Sequence, residues 1–140
     1  MSATQLFVDT SAFYAALDRD DVDHERAKAI LSAGTDLVTT DHVLVECWRL
    51  ARKRLGIHVA ERFWGSLRDG QAVVESVLPT DFDTAWQIGE VFSDQDFSIV
   101  DRTSFAVMER MGITSVASFD EHFSIYRYGP HRDRAFDVRR

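Results

Sequence analysis

Short apolar runs rich in β-branched and aromatic residues alternate along this chain with stretches whose apolar positions recur every three to four residues. The first pattern marks buried strands and the second amphipathic helices, and their alternation is the signature of an α/β fold with a parallel sheet. Residues 5 to 9 read as a first strand. Helices follow at about 11 to 18 and 23 to 32, separated by the acidic turn Asp18 to Asp23, and Gly34 ends the pair. Residues 36 to 40 make a second strand. A long helix is predicted from about Asp41 to Leu55 with Gly56 as its stop, and another over about 58 to 69 with Gly70 after it. Residues 72 to 77 form a third strand, Pro79 punctuates, and a helix spans about 81 to 93. The last unit is a helix from about Ile99 to Met111, ended by Gly112, and a strand over 114 to 118. The expected architecture is a three-layer α/β/α sandwich around a central parallel sheet. Phe13, Tyr14, Trp48, Phe63, Trp64, Trp86 and Phe92 fall within the helical patterns and are expected in the core.

With 140 residues, 45% of them hydrophobic, the chain can bury one good core and is too short for two ordinary domains, so residues 1 to 140 are expected to form a single domain. The only shift in composition is an arginine-rich tail over about 127 to 140, read as a solvated end. No run approaches the length of a membrane span, and the N-terminus lacks the basic region of a secretory signal. The single cysteine, Cys47, excludes an internal disulfide and a cysteine-based zinc cage, fits a reducing cytoplasm and is expected to pack in the core. A formal charge of −7 argues against nucleic-acid binding by the overall field and leaves local binding open. Arg49, Arg52, Lys53 and Arg54 end one helix, where they serve either its C-terminal dipole or a phosphate.

Four acids stand out against this pattern. Asp9 closes the apolar run Leu6-Phe7-Val8, Glu46 interrupts Val43-Leu44-Val45-Glu46-Cys47-Trp48, Asp101 follows Ile99-Val100, and Asp120 follows Ser118-Phe119. A carboxylate among apolar neighbours loses hydration, so it is usually paired, protonated or bound to a cation. In an open parallel sheet, ligands bind outside the carboxyl ends of the strands. Asp9 and Asp120 lie at or just past strand ends, and the helices carrying Glu46 and Asp101 begin at the same edge, so all four can converge on one rim. An all-oxygen shell selects Mg²⁺ or Mn²⁺. The five histidines show no paired zinc spacing; His42 and Glu46, four residues apart, are the nearest approach to it.

Each acid also has an ordinary structural explanation. Ser98-Ile99-Val100-Asp101 fits a capping box, Asp9 can cap the helix that follows it, and Asp120 can sit in a solvated turn. Glu46 can pair with Arg49 one turn on. The four explanations are independent of one another, whereas one metal site covers them together.

Phe7-Val8-Asp9-Thr10-Ser11, the lone Glu46 in its apolar helix, Asp94 to Phe105 with its Asp101-Arg102-Thr103-Ser104 core, and Ser118-Phe119-Asp120-Glu121-His122-Phe123 resemble the PIN-domain ribonucleases, especially VapC-type toxins. Asp21 to Ala27 also resembles a stretch many members carry in their second helix. The resemblance covers nearly the whole chain and informs the tail beyond Tyr128 least. It implies a PIN-like sandwich and an Mg²⁺- or Mn²⁺-dependent endoribonuclease that hydrolyses phosphodiester bonds with an activated water, the toxin of a type II toxin-antitoxin pair. Asp9, Glu46, Asp101 and Asp120 would be its catalytic and metal-binding residues. Thr10, Ser11 and Ser104 would stand behind them or touch phosphate, with Asp96 as an outer acid. Partners implied are RNA, a cognate antitoxin and a second copy in a homodimer. A catalytically degenerate PIN domain that only binds RNA or a partner is the alternative. An aspartyl phosphatase is disfavoured because Ser11 occupies the place of its second aspartate, and a phosphoacceptor module because Lys28 and Lys53, the only lysines, are misplaced for one.

Overall fold

The computed structural model describes residues 5 to 140. Its strands are β1 (Gln5–Val8), β2 (Asp36–Thr40), β3 (Val73–Glu75), β4 (Ser115–Ala117) and β5 (Asp137–Arg139). They form one sheet in the order β3-β2-β1-β4-β5, with every neighbouring pair parallel. Parallel neighbours need crossovers, and helices supply them. α1 (Thr10–Leu17) and α2 (His24–Leu31) link β1 to β2, while α3 (Asp41–Leu55) and α4 (Ile57–Arg68) link β2 to β3. α5 (Pro79–Val91) and α6 (Ile99–Met111) lead to β4, and the short α7 (His122–Ile125) leads toward β5. The predicted α/β/α layering with a central parallel sheet is what the chain adopts.

Helix limits follow local chemistry. Thr40 caps α3 by accepting the Val43 N–H at 3.1 Å, and Gly56, at φ 99°, takes the chain out of it through a conformation that a side chain would strain. α6 starts in a capping box between Ser98 and Asp101 and stops at Gly112, in the left-handed region. Pro79 opens α5, where its missing N–H costs nothing.

β1 is buried on both sides of the sheet, as a central parallel strand requires. On one side Phe7 packs against Phe123, and a cluster of Phe97, Phe105, Tyr126 and Phe136 fills in behind, with Phe105 and Tyr126 stacked 4.2 Å apart. Elsewhere in the core Phe13 meets Phe63 edge-on at 5.2 Å. Each such ring, fully buried, contributes roughly 2 to 3 kcal/mol. Cys47 is buried here as expected.

Four expectations need correction. Trp64 is 44% exposed and Trp86 69% exposed. Each lies one residue past the inward stripe of its helix, which is Ala60-Phe63-Leu67 in α4 and Asp81-Ala85-Ile88 in α5, and one residue turns a side chain by about 100°. Trp48 is only half-buried, with its indole N–H donating to Glu61 across the α3–α4 pair. The arginine-rich tail is also no simple solvated end, because β5 adds to the sheet edge beside β4. Phe136 anchors it, buried against Tyr126 and Tyr128. A three-residue edge strand with two charged residues carries no apolar run for a sequence reading to detect.

Candidate active site

The order of the strands reverses direction between β1 and β4, and the crevice outside their carboxyl ends is where an open α/β sheet binds ligands. Asp9 stands there, one residue past β1. Its N–H extends the ladder to the Ala117 carbonyl at 3.1 Å, and its carbonyl accepts the Ala12 and Phe13 N–H groups of α1. Its side chain makes no capping bond. Instead one carboxylate oxygen accepts hydroxyl hydrogen bonds from Ser11 at 2.9 Å and Ser118 at 3.0 Å. Asp9 is 4% exposed, and burial pushes its pKa up to about 6; the two serines pull it down, and the nearby Asp101 charge pushes it up again. It is therefore a desolvated carboxylate held by hydroxyl donors.

Asp101 joins it from the first turn of α6. The same oxygen that accepts the Ser98 N–H at 3.0 Å lies 2.7 Å from Nδ1 of His122. Its capping contact therefore leaves Asp101 free to meet His122 as well. Asp120 follows β4 in a turn fixed by Ser118, whose hydroxyl accepts the Asp120 N–H at 3.1 Å. Its Oδ1 accepts the His122 N–H at 2.9 Å and lies 3.4 Å from the ring nitrogen. Asp101, Asp120 and His122 each offer one ligand atom, all within 4.8 Å of one another. Burial of the His122 ring opposes its charge, but the Asp101 hydrogen bond and charge, with Asp120 and Glu121 behind, prevail and raise its pKa.

Glu46 approaches through Thr10, whose hydroxyl donates to its Oε1 at 2.6 Å. It is half-buried on α3, and among the described residues no ion pair joins it to the exposed Arg49. Thr10 and Ser11, next to Asp9, thus orient Glu46 and Asp9 respectively. Ser104 lies one turn along α6 from Asp101, fully buried, with no hydrogen-bond partner for its hydroxyl among the described residues. Asp96 is exposed in the segment before α6.

Two contributors escape a sequence reading. His122 lacks any paired ligand spacing because its partner Asp101 is 21 residues away, so only its position two residues after Asp120 hints at a role. Ser118 reads as an ordinary strand end, yet its hydroxyl ties Asp9 to the Asp120 turn.

The carboxylate oxygens form a hard, anionic donor set with His122 engaged on Asp101, and among the described residues no lysine or arginine is paired with Asp9, Glu46, Asp101 or Asp120. The arrangement fits a small divalent cation.

Comparisons with known proteins identify the family. Residues 6–127 match the PIN domain model. The chain is 38% identical over 122 residues to the 23S rRNA-specific endonuclease VapC20 of Mycobacterium tuberculosis, covering 85% of this chain and 92% of that protein. The crystal structure of Mycobacterium tuberculosis VapC20, described as a sarcin-ricin loop cleaving toxin, superposes with a TM-score of 0.82 at 32% identity, over 86% of this chain and 93% of that one. FitAcB from Neisseria gonorrhoeae, with a TM-score of 0.63 and 14% identity over 96% of both chains, shares the fold. So does PAE2754 from Pyrobaculum aerophilum, with a TM-score of 0.59 and 17% identity over 86% of this chain and 78% of that one.

Proposed function

The chain belongs to the PIN-domain family, as a nuclease of the VapC toxin type, and on that premise we propose that it hydrolyses RNA phosphodiester bonds at the acidic rim with Mg²⁺ or Mn²⁺. The observation that carries this reading is Asp9, a buried carboxylate near Asp101 with two hydroxyl partners and, among the described residues, no lysine or arginine paired with it. Asp9, Glu46, Asp101 and Asp120 would hold the ion. When bound, it supplies a Lewis acid that makes water a nucleophile near neutral pH and offsets charge on the phosphate oxygens.

The chain's own groups prepare the site. Hydroxyls of Ser11 and Ser118 fix one oxygen of Asp9, the Thr10 hydroxyl fixes Glu46, and His122 fixes Asp101. Outer partners of this kind orient ligands, and their loss typically lowers metal affinity or activity about 10- to 100-fold. No side-chain nucleophile is required. Burial around Asp9 keeps bulk water from competing for its carboxylate.

The matched relative's substrate points to structured ribosomal RNA as the first candidate. Incubation of the purified chain with an RNA copying the sarcin-ricin loop should give one main cut with Mg²⁺ or Mn²⁺ and none with EDTA. Equal cleavage by chelator-treated protein would overturn the metal mechanism.

A cognate antitoxin is the protein partner this reading requires, and the cytoplasm, where RNA is exposed, is where the pair would act. No helix among the described residues is long and apolar enough to cross a membrane. For self-association, Phe82 and Trp86 on α5 and Ile99 on α6, exposed by 40%, 69% and 55%, offer an apolar face that a homodimer would cover. Light scattering should report a dimer, and Trp86→Glu a monomer; a monomeric wild type would remove the dimer from the account.

A further inference from the structure

A groove of about 810 Å³ opens beside Glu46, with α3 on one side and Val100 of α6 on the other. Val43, Cys47 and Ala51 turn the inner stripe of α3 into the core. Glu46, Arg49, Leu50 and Lys53, spaced by three and four residues, form the stripe that borders the groove. Val45, 55% exposed, completes its apolar side with Leu50 and Val100. Along α3 the groove therefore runs from Glu46, joined through Thr10 to the acidic rim, past Arg49 to Lys53, with Val45, Leu50 and Val100 as its apolar lining.

The four cations of α3 divide by position. Arg54 stacks over the Tyr14 ring at 5.4 Å, and Arg52 is exposed and does not line the groove. Arg49 and Lys53 line it, and neither joins an ion pair among the described residues. A helix dipole attracts cations only within its last turn, which here holds Arg52, Lys53 and Arg54. Arg49 lies before that turn, so compensation of the dipole does not account for it.

We propose that this groove binds the nucleotide adjacent to the scissile phosphate, with Arg49 and Lys53 holding its phosphate and Val45, Leu50 and Val100 packing under its sugar and base. The proposal rests on the nuclease reading and assigns the direction in which substrate leaves the acidic centre. Glu46 to Lys53 spans about 10 Å of helix, which gives the backbone room to run from the acids to the cations. An acidic peptide would suit Arg49 and Lys53 but would meet Glu46 at the other end. A polyanion whose cleaved phosphate is neutralised by a bound cation suits both ends. An unstacked single strand or loop is the form of RNA whose sugar and base faces can reach the apolar side.

The test uses the full chain and a fluorescein-labelled oligouridylate, with binding followed by anisotropy across a salt series in parallel with cleavage. The double variant Arg49→Ala/Lys53→Ala should bind about tenfold more weakly or worse. The slope of log affinity against log salt should become shallower by about 0.7 for each lost phosphate contact. Arg52→Ala, on the same helix outside the groove, should match wild type in both readouts, and Arg49→Lys should recover part of the affinity. All these positions are on the surface, and coincident thermal unfolding curves would exclude a folding defect. An unchanged salt slope in the double variant, an equal loss in Arg52→Ala, or no measurable binding by wild type would each overturn the assignment. Binding that follows the groove variants without metal-dependent cleavage would overturn the nuclease reading and leave the groove standing.

Discussion

Two aspartates in this molecule are almost equally buried, and they are provided for in opposite ways. Asp81, 3% exposed at the start of α5, accepts the Leu78 N–H at 2.8 Å and is gripped by Arg110, whose Nε and Nη2 both reach it at 3.0 Å. Asp9, 4% exposed at the start of α1, has two serine hydroxyls and a neighbouring acid, Asp101. Both begin helices, and both lose water. A carboxylate buried for structural reasons carries its counter-charge within the chain, as Asp81 does, because an unpaired buried charge costs several kcal/mol. Asp9 has no such partner among the described residues, and on the proposed reading a cation from outside supplies it. The difference separates an acid that joins α5 to α6 from one proposed to serve chemistry, although neither is distinguishable by burial.

The largest effect that sharpens this contrast is on activity. Asp101→Asn should cut RNA cleavage by about a hundredfold or more, with the fold retained, since charge-stabilising groups of a reacting centre are commonly worth that much; a single-turnover assay beside wild type checks it. Asp81→Ala should leave the chemistry of a folded molecule nearly intact but destabilise it by about 2 kcal/mol, combining a lost cap with the lost hydrogen bonds of Arg110, which keeps Glu75 and the Ser76 carbonyl, as measured by urea unfolding.

Asp9→Asn should do the reverse to stability. In metal-free protein the native state holds the Asp9 proton up to about pH 6 while the unfolded chain releases it near 3.8. At Asp9 the native state therefore binds more protons in that window, and this residue's contribution to stability falls as pH rises from about 4 to about 6, by no more than about 3 kcal/mol. Asp9→Asn should flatten that slope and gain about 2 kcal/mol at neutral pH. A wild-type stability that rises through this window with no Asp9-dependent decrement would contradict the burial argument. His122→Ala is the mildest of these changes, about tenfold in cleavage, because it removes a positioning partner of Asp101 and leaves the carboxylates in place.

The strands from β1 to β4 and the helices from α1 to α6 were legible in the sequence because each has a run or stripe of apolar residues and a chemical stop, such as Gly56 or Gly112. β5 and α7 were not, since Phe136 alone anchors a charged edge strand and α7 has four residues. Of the candidate site, Asp9, Glu46, Asp101 and Asp120 were legible as acids in apolar company. Asp81 was equally buried and passed unnoticed, because Pro79-Thr80-Asp81 reads as an ordinary helix start and Arg110 lies 29 residues away. His122 and Ser118 were hidden for the same reason: a contact made by folding leaves no local periodicity.

Thermal unfolding of chelator-stripped protein, titrated with Mn²⁺, tests most directly whether the acidic rim is completed by an external cation. A ligand that binds only the folded state raises stability as its concentration passes its dissociation constant. The wild-type midpoint should rise saturably with Mn²⁺, and that of Asp9→Asn should start higher and move little. A wild-type midpoint indifferent to Mn²⁺, or an Asp9→Asn midpoint that climbs in parallel with it, would contradict the account.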